Sequence, residues 1–329
     1  MSVGAPELLV DPGAGLQIEP VPGEIAARSP LQLFLRRFRS DRVAVASLVF
    51  IVVLALVAIL APLIVDLVGA PGPNVQNGSA LDQFGTPTGP SFAHNRLFGA
   101  DPLGRDVFAR VLYGARVSLI VALVATGIAM VIGVVVGMVA GFFRGWIDTL
   151  ASRAIDVLLA FPILLLALGV AAACSNTAGC LGGLVKPGLS NVIFVIAFIN
   201  WTFIARIVRG QVLSLREKEF VEASRSLGAS NARIIFREIL PNLAAPIIVY
   251  ATLLIPQNIL LEAALSYLGV GVQPPQASWG AMLADATSTY DTAWWYMVFP
   301  GVALLVTVLA FNLVGDGLQD ALAPKTAKD

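Results

Sequence analysis

EFVEASRSLGASNARIIFREILP, residues 219–241, is a stretch of charged and small residues set between two long apolar runs, 192–204 and 243–261. A segment of this kind is a loop of about thirty residues joining two membrane spans. Seven of the chain's 21 Lys and Arg residues fall between Arg206 and Arg237. The positive-inside rule therefore places the loop in the cytoplasm.

Composition agrees with that reading. Hydrophobic residues make up 57% of the chain and charged ones 13%, against about 25% charged in a soluble domain, and the mean hydropathy is +0.83. A hydrocarbon core about 30 Å thick needs about 20 apolar residues per helix. Six runs approach that length: 43–65, 117–143, 155–173, 192–208, 244–265 and 295–314. They lack the alternation of barrel strands, and backbone groups in lipid must be satisfied internally. The expected fold is all-α, a polytopic bundle of six transmembrane helices.

With the N-terminus inside, sixteen Lys and Arg residues lie on the cytoplasmic side and five outside. Both termini are expected in the cytoplasm. Residues 1–30 are rich in Pro, Gly and acids and read as a disordered tail, and 324–329 as a short C-terminal tail. No cleavable signal is expected, because the first apolar run has the length of a span. Residues 31–42, LQLFLRRFRSDR, suit either an amphipathic helix in the inner interface or the basic flank of the first span. The six-span body then covers 43–323, with the cytoplasmic loop at 210–241.

Outside, a turn at 101–104 precedes a helix-like pattern of Val107, Val111 and Leu112 among arginines, expected at the outer mouth. His94 is the chain's one histidine, and with no second ligand nearby it reads as a loop residue, not a metal site. Cys174 and Cys180 share a short outer loop. An oxidising exterior permits a disulfide between them, and five intervening residues can close the ring. Free thiols are the alternative, while a redox centre would call for C-x-x-C spacing.

Within the cytoplasmic loop, Phe220, Ala223, Ser224 and Leu227 fall on one helical face, with Glu219 and Glu222 mostly elsewhere. Gly228 supplies a helix stop. Ser230 or Asn231 can cap a second helix whose Ile234, Ile235 and Ile239 return to the membrane, ending at Pro241. A short helix held at both ends by spans is shaped for a groove on a partner. A solvated surface helix is the plain alternative.

Glu222-Ala223-Ser224, Gly228 and Leu240-Pro241 resemble the EAA loop of ATP-binding cassette (ABC) importer permeases, with Ser224 in place of the second Ala and Glu238 where relatives often have His. GADPLGRDVFARVLYGARVSL (99–119), LLEAALSYLGVGVQPPQASWGAML (260–283) and FPGVALLVTVLAFNLVGDGLQDAL (299–322) are similar to the C-type permease subunit of dipeptide, oligopeptide and nickel importers. The resemblance covers about residues 31–325 and implies a type I importer (MetI-like) fold in a bacterial inner membrane. It implies as partners a homologous B-type permease, two ABC ATPases and an extracytoplasmic binding protein beside membrane lipid, with peptides as cargo or else nickel or another small solute; nucleic acid has no place among them. It also implies that Glu219, Phe220, Glu222, Ala223, Ser224, Leu227, Gly228 and Pro241 couple to the ATPases. The sequence contains no G-x-x-x-x-G-K-[ST] phosphate loop, so ATP and Mg belong to partner chains. The chain itself is expected to have no catalytic residues and no cofactor.

Asn200, Thr202, Gln257, Asn258, Glu262 and Asn312 lie in or at the ends of spans, where polar groups face an interior or a wet cavity. They read as lining a translocation path or as interhelical ties, and Glu262 also suits an interfacial position. Asp156 is expected to pair with Arg153 at i−3, Asp316 and Asp320 to close the last span, and Pro162, Pro246 and Pro256 to kink their spans. An ion-coupled secondary transporter would call for internal repeats and ionisable pairs at mid-membrane. An intramembrane enzyme would call for a nucleophile and base or a metal cluster. Neither pattern is visible.

Overall fold

The computed structural model describes residues 30–92, 95–176 and 179–322. Both tail readings and His94 lie outside the described residues. Eleven helices are labelled below: α1 (Pro30–Ser40), α2 (Arg42–Ile59), α3 (Ala61–Val68), α4 (Val107–Phe143), α5 (Gly145–Leu159), α6 (Ile163–Ala173), α7 (Leu189–Leu215), α8 (Glu219–Ser226), α9 (Asn231–Tyr267), α10 (Trp279–Ala286) and α11 (Trp294–Leu322). Among the described residues, β structure is limited to isolated bridges in loops.

Five helices, α2, α4, α7, α9 and α11, are long and apolar enough to cross a membrane, and α5 with α6 makes a sixth only as a bent pair. The third expected span, 155–173, is therefore not straight: α5 and α6 meet at 91°. Pro162 explains the break. It has no N–H to donate, and its ring pushes Phe161 out of the helical region. The eleven residues of α6 rise only about 16 Å, roughly half a hydrocarbon core.

The helix-like pattern after the 101–104 turn is no separate element. Asp106 caps α4 by accepting from the Ala109 N–H at 2.8 Å, and the helix then runs 37 residues without interruption. At about 55 Å it exceeds the bilayer core, so its first turns belong to the cap of the bundle.

Helices α4 and α7 form the central pair. Gly133, Gly137 and Gly141 recur every four residues on α4 and lie directly against α7. A Cβ at Gly133 would stand 2.6 Å from the Ile204 Cβ, one at Gly137 2.7 Å from the Ala205 carbonyl oxygen, and one at Gly141 2.9 Å from the Val212 Cβ. Small residues at this spacing let two backbones approach, which is how helices gain dispersion energy where lipid removes the hydrophobic drive. Helix α9 packs across this pair and against α11, and α2 lies on α11. At the end of the bundle where both described termini lie, called here the terminal end, Phe38 of α1 is buried with Val314 and Ala321 of α11.

The opposite end is capped by residues 69–92, 95–106, 174–176, 179–188 and 268–293. Arg96 is buried there and donates to Ser79 O at 3.1 Å and to Thr88 Oγ1 at 2.9 Å. Asp101, fully buried, accepts from the Leu103 and Arg105 N–H groups, both at 2.9 Å, and from Arg105 Nε at 2.6 Å. Trp295 Nε1 donates to Ala100 O and Trp279 Nε1 to Val111 O, each at 3.0 Å. Buried indoles keep their N–H paired; the Trp295 bond ties the cap to α11 and the Trp279 bond ties it to α4.

Candidate functional site

The cytoplasmic-loop expectation centres on α8, and the residues before it set its position. Arg216 follows α7 and donates through Nη1 to the Phe142 carbonyl at 2.6 Å, at the last turn of α4. Glu217 accepts from Arg144 Nη2 at 2.7 Å, and Arg216 Nε stands 3.4 Å from the same oxygen. Two cations are thus held at a helix C-terminus, where orphan carbonyls and the macrodipole favour positive charge.

Val221 then anchors α8. It is 0% exposed and sits among Phe142, Val212, Ile234, Ile239 and Leu243. Phe220 is 38% and Leu227 88% exposed; Ala223, Glu219 and Glu222 are also exposed, and Ser224 is half-buried. The apolar face inferred from Phe220, Ala223 and Leu227 therefore points away from the bundle, and Val221, one residue from that face, is what holds the helix down.

Gly228 adopts φ +79° and ends α8 in a Schellman arrangement: its N–H donates to Arg225 O and that of Ala229 to Ser224 O, both at 3.0 Å. Only a residue tolerant of positive φ closes a helix this way at little cost. Ser230 caps α9, accepting from the Arg233 N–H at 3.4 Å.

Pro241 does not end the returning helix. The turn at Ile234–Ile239 widens to π geometry, and α9 runs on through Pro241 to Tyr267. The proline frees a carbonyl one turn back, and the π turn makes room for its ring. Asn242 Nδ2 donates to Glu238 O at 2.6 Å, adding a side-chain tie at the same turn.

Asp156 pairs with Arg206 of α7, not with Arg153, and Asp148 makes a two-point pair with Arg209, one arm of it 2.9 Å long. The bend between α5 and α6 explains this. It turns α5 so that its acids meet α7, and a pair between helices replaces the expected pair within one.

Of the residues suggested for a translocation path, three form a buried seam. Asn200 Nδ2 donates to Asn258 Oδ1 at 2.6 Å, and Asn258 Nδ2 to Thr126 Oγ1 at 2.8 Å, joining α7, α9 and α4. One turn along α9, Glu262 is fully buried and accepts from Ser118 Oγ at 2.8 Å and Ser266 Oγ at 2.7 Å. Thr202 satisfies its hydroxyl on Ile199 O within α7. Gln257 and Asn312 are exposed on other faces. Ser118, Thr126 and Ser266 complete the seam, and each is a small hydroxyl that hydropathy alone passes over. Cys174 and Cys180 are joined as a disulfide in the loop after α6.

This arrangement, a short helix pinned between two spans with its apolar face outward, coincides with a family match. Residues 133–328 match the model of the binding-protein-dependent transport system inner membrane component. The chain belongs to that family. Residues 29–80 additionally match the N-terminal transmembrane domain of oligopeptide transport permease C. Similar relatives include a dipeptide transport system permease protein, DppC, of Alkalihalophilus pseudofirmus, 40% identical over 93% of each chain. Another is a glutathione transport system permease protein, GsiD, of Escherichia coli, 42% identical over 91% of each. An inward-facing structure of the MetNI methionine ABC transporter shares the fold, with a TM-score of 0.53 over 65% of this chain and 97% of that one, at 21% identity. The chain is thus a C-type permease subunit of an ABC importer, a multi-pass membrane protein.

Proposed function

We propose that this permease forms half of a peptide translocation path and is driven through α8 by cytoplasmic ABC ATPases. The observation that carries the reading is the division of labour on α8, where Val221 is buried in the bundle while Phe220 and Leu227 stand exposed. A helix fixed at its base by Arg216 and Glu217 transmits a push from a partner groove as a rigid lever. Glu222 pairs with a basic group in that groove, and Gly228 makes the bend. ATP and Mg reside in two ATPase subunits, a homologous B-type permease supplies the other half of the path, and an extracytoplasmic binding protein delivers the cargo. Both termini face the cytoplasm, as the positive-inside distribution indicates. The dipeptide and glutathione relatives favour small peptides, and nickel or another small solute is the competing cargo. The buried seam of Asn200, Asn258 and Glu262 ties helices together, which leaves Gln257 and Asn312, of the residues suggested for a path, exposed and able to face one.

Affinity purification of the tagged chain from its native membrane, with mass spectrometry and an ATPase assay, tests this. Recovery of a second permease and ATPases, with hydrolysis raised by a binding protein and a peptide, is the expected result. Recovery of the chain alone, stable and without ATPase activity, overturns the coupling role.

A further inference from the structure

At the cap end, the start of α7 and the loop after α9 enclose an open cleft of about 500 Å³, within the size range of small-ligand sites. One wall carries Pro187 and Ser190, the other Gln273, Pro274, Pro275 and Gln276. None of the lining residues is charged. The prolines present apolar rings without N–H groups, and the two glutamines and the serine supply donors and acceptors without a fixed sign.

Both walls are braced from behind. Ser266 Oγ donates to Glu262 at 2.7 Å and accepts from the Val272 N–H at 3.1 Å, so the buried carboxyl of α9 holds the root of the glutamine loop. Gln273 Nε2 donates to Gly269 O and Gly271 O, each at 3.3 Å, which leaves its Oε1 as an acceptor. On the other side, the disulfide closes 174–180, and Cys180 exchanges backbone hydrogen bonds with Val185 at 2.9 and 3.2 Å, just before Pro187. Ser190 Oγ donates to Lys186 O at 2.7 Å, which orients its lone pairs for accepting. The Gln276 side-chain amide has no hydrogen-bond partner among the described residues. The walls are thus braced, while the Gln273 Oε1 and the Gln276 amide are left to pair with a ligand.

We propose that this cleft binds the main chain of a cargo peptide at the mouth of the path. Amides and a hydroxyl match peptide N–H and C=O groups, and an uncharged lining is indifferent to the sign of the side chains. Glu262 and Ser266 act as positioning residues behind it. The inference rests on the peptide-cargo reading above and adds where the peptide is held.

The test uses the assembled transporter purified from its membrane with Pro187→Cys in this chain, a lining position that makes none of the proposed polar contacts. The chain's two native cysteines are bonded to each other, so the introduced thiol is the one in this chain that a maleimide labels. Trialanine alone, without binding protein, is expected to slow labelling saturably, and Ser190→Ala to raise the half-protecting concentration about two- to tenfold, as for one lost hydrogen bond. Protection that needs the binding protein and is independent of peptide would mean that the cleft receives a protein loop, and would overturn the proposal. So would an absence of protection. Uptake of labelled trialanine by the unmodified transporter is measured alongside: uptake without protection removes this site alone, whereas no uptake removes the peptide reading and this site with it.

Discussion

Arg216 reaches back across the turn after α7 to the carbonyl of Phe142, 2.6 Å away at the end of α4. The bond joins the helix that precedes α8 to the partner with which it shares the closest packing in the bundle. A force applied to α8 is therefore shared by α4 and α7 from the outset.

Arg216→Ala should remove this tie and leave two carbonyls of the last α4 turn, Gly141 and Phe142, without that donor. Hydrogen bonds to charged groups contribute about 1.5–3 kcal/mol. Insertion into the membrane should persist while transport per ATP hydrolysed falls. Parallel measurement of uptake and ATPase activity reads the ratio, and an unchanged ratio counts against the lever.

Val221→Ala and Leu227→Ser should separate holding α8 from using it. Val221 is fully buried, so its truncation should cost about 2 kcal/mol locally and speed amide exchange across 219–228. Leu227 is exposed, and its replacement should leave exchange unchanged while weakening retention of the ATPases. Loss of ATPase retention in neither variant would count against α8 as the docking element.

Gly137→Ala should be much more damaging than Gly127→Ala. The new methyl at 137 meets backbone at 2.7 Å, whereas nothing lies within 4 Å at 127. Overpacking costs about 1–3 kcal/mol. Thermal unfolding in detergent should show a lowered midpoint for the first variant, and equal midpoints would contradict the close α4–α7 approach.

Asn200 and Asn258 should behave as a coupled pair. Intramembrane hydrogen bonds of this kind contribute about 0.6–2 kcal/mol, and a double-mutant cycle with leucine at each position should return a coupling in that range. If both residues instead faced a water-filled path, the coupling would be near zero and uptake would change more than stability.

The pattern of hydropathy located the apolar centre of each span, because apolarity is a local property that lipid selects directly, but not the helix ends: α4 begins ten residues before the run at 117 and α9 thirteen before the run at 244. It also placed the helix at Glu219–Ser226 and its stop at Gly228, both written in short-range periodicity and in one residue's tolerance of positive φ. Hydropathy passes over the seam between α4 and α7, although the spacing of Gly133, Gly137 and Gly141 carries that signal. The proline at 162 marks a break, but the 91° angle depends on what α5 and α6 pack against.

By itself, then, the sequence determined the all-helical membrane class and the existence of a short helix between two apolar runs, since each follows from composition and from neighbours along the chain. Only the tertiary structure decided which side of that helix is held. Periodicity groups Phe220 with Leu227, but whether that face or Val221 turns inward depends on residues far away in sequence, Phe142 on α4 and Leu243 on α9. Pairing was decided in the same way: Asp156 meets Arg206, and Glu262 meets Ser118. An ion pair or hydrogen bond between helices is set by the packing of small residues that brings those helices together, and no local rule contains that information.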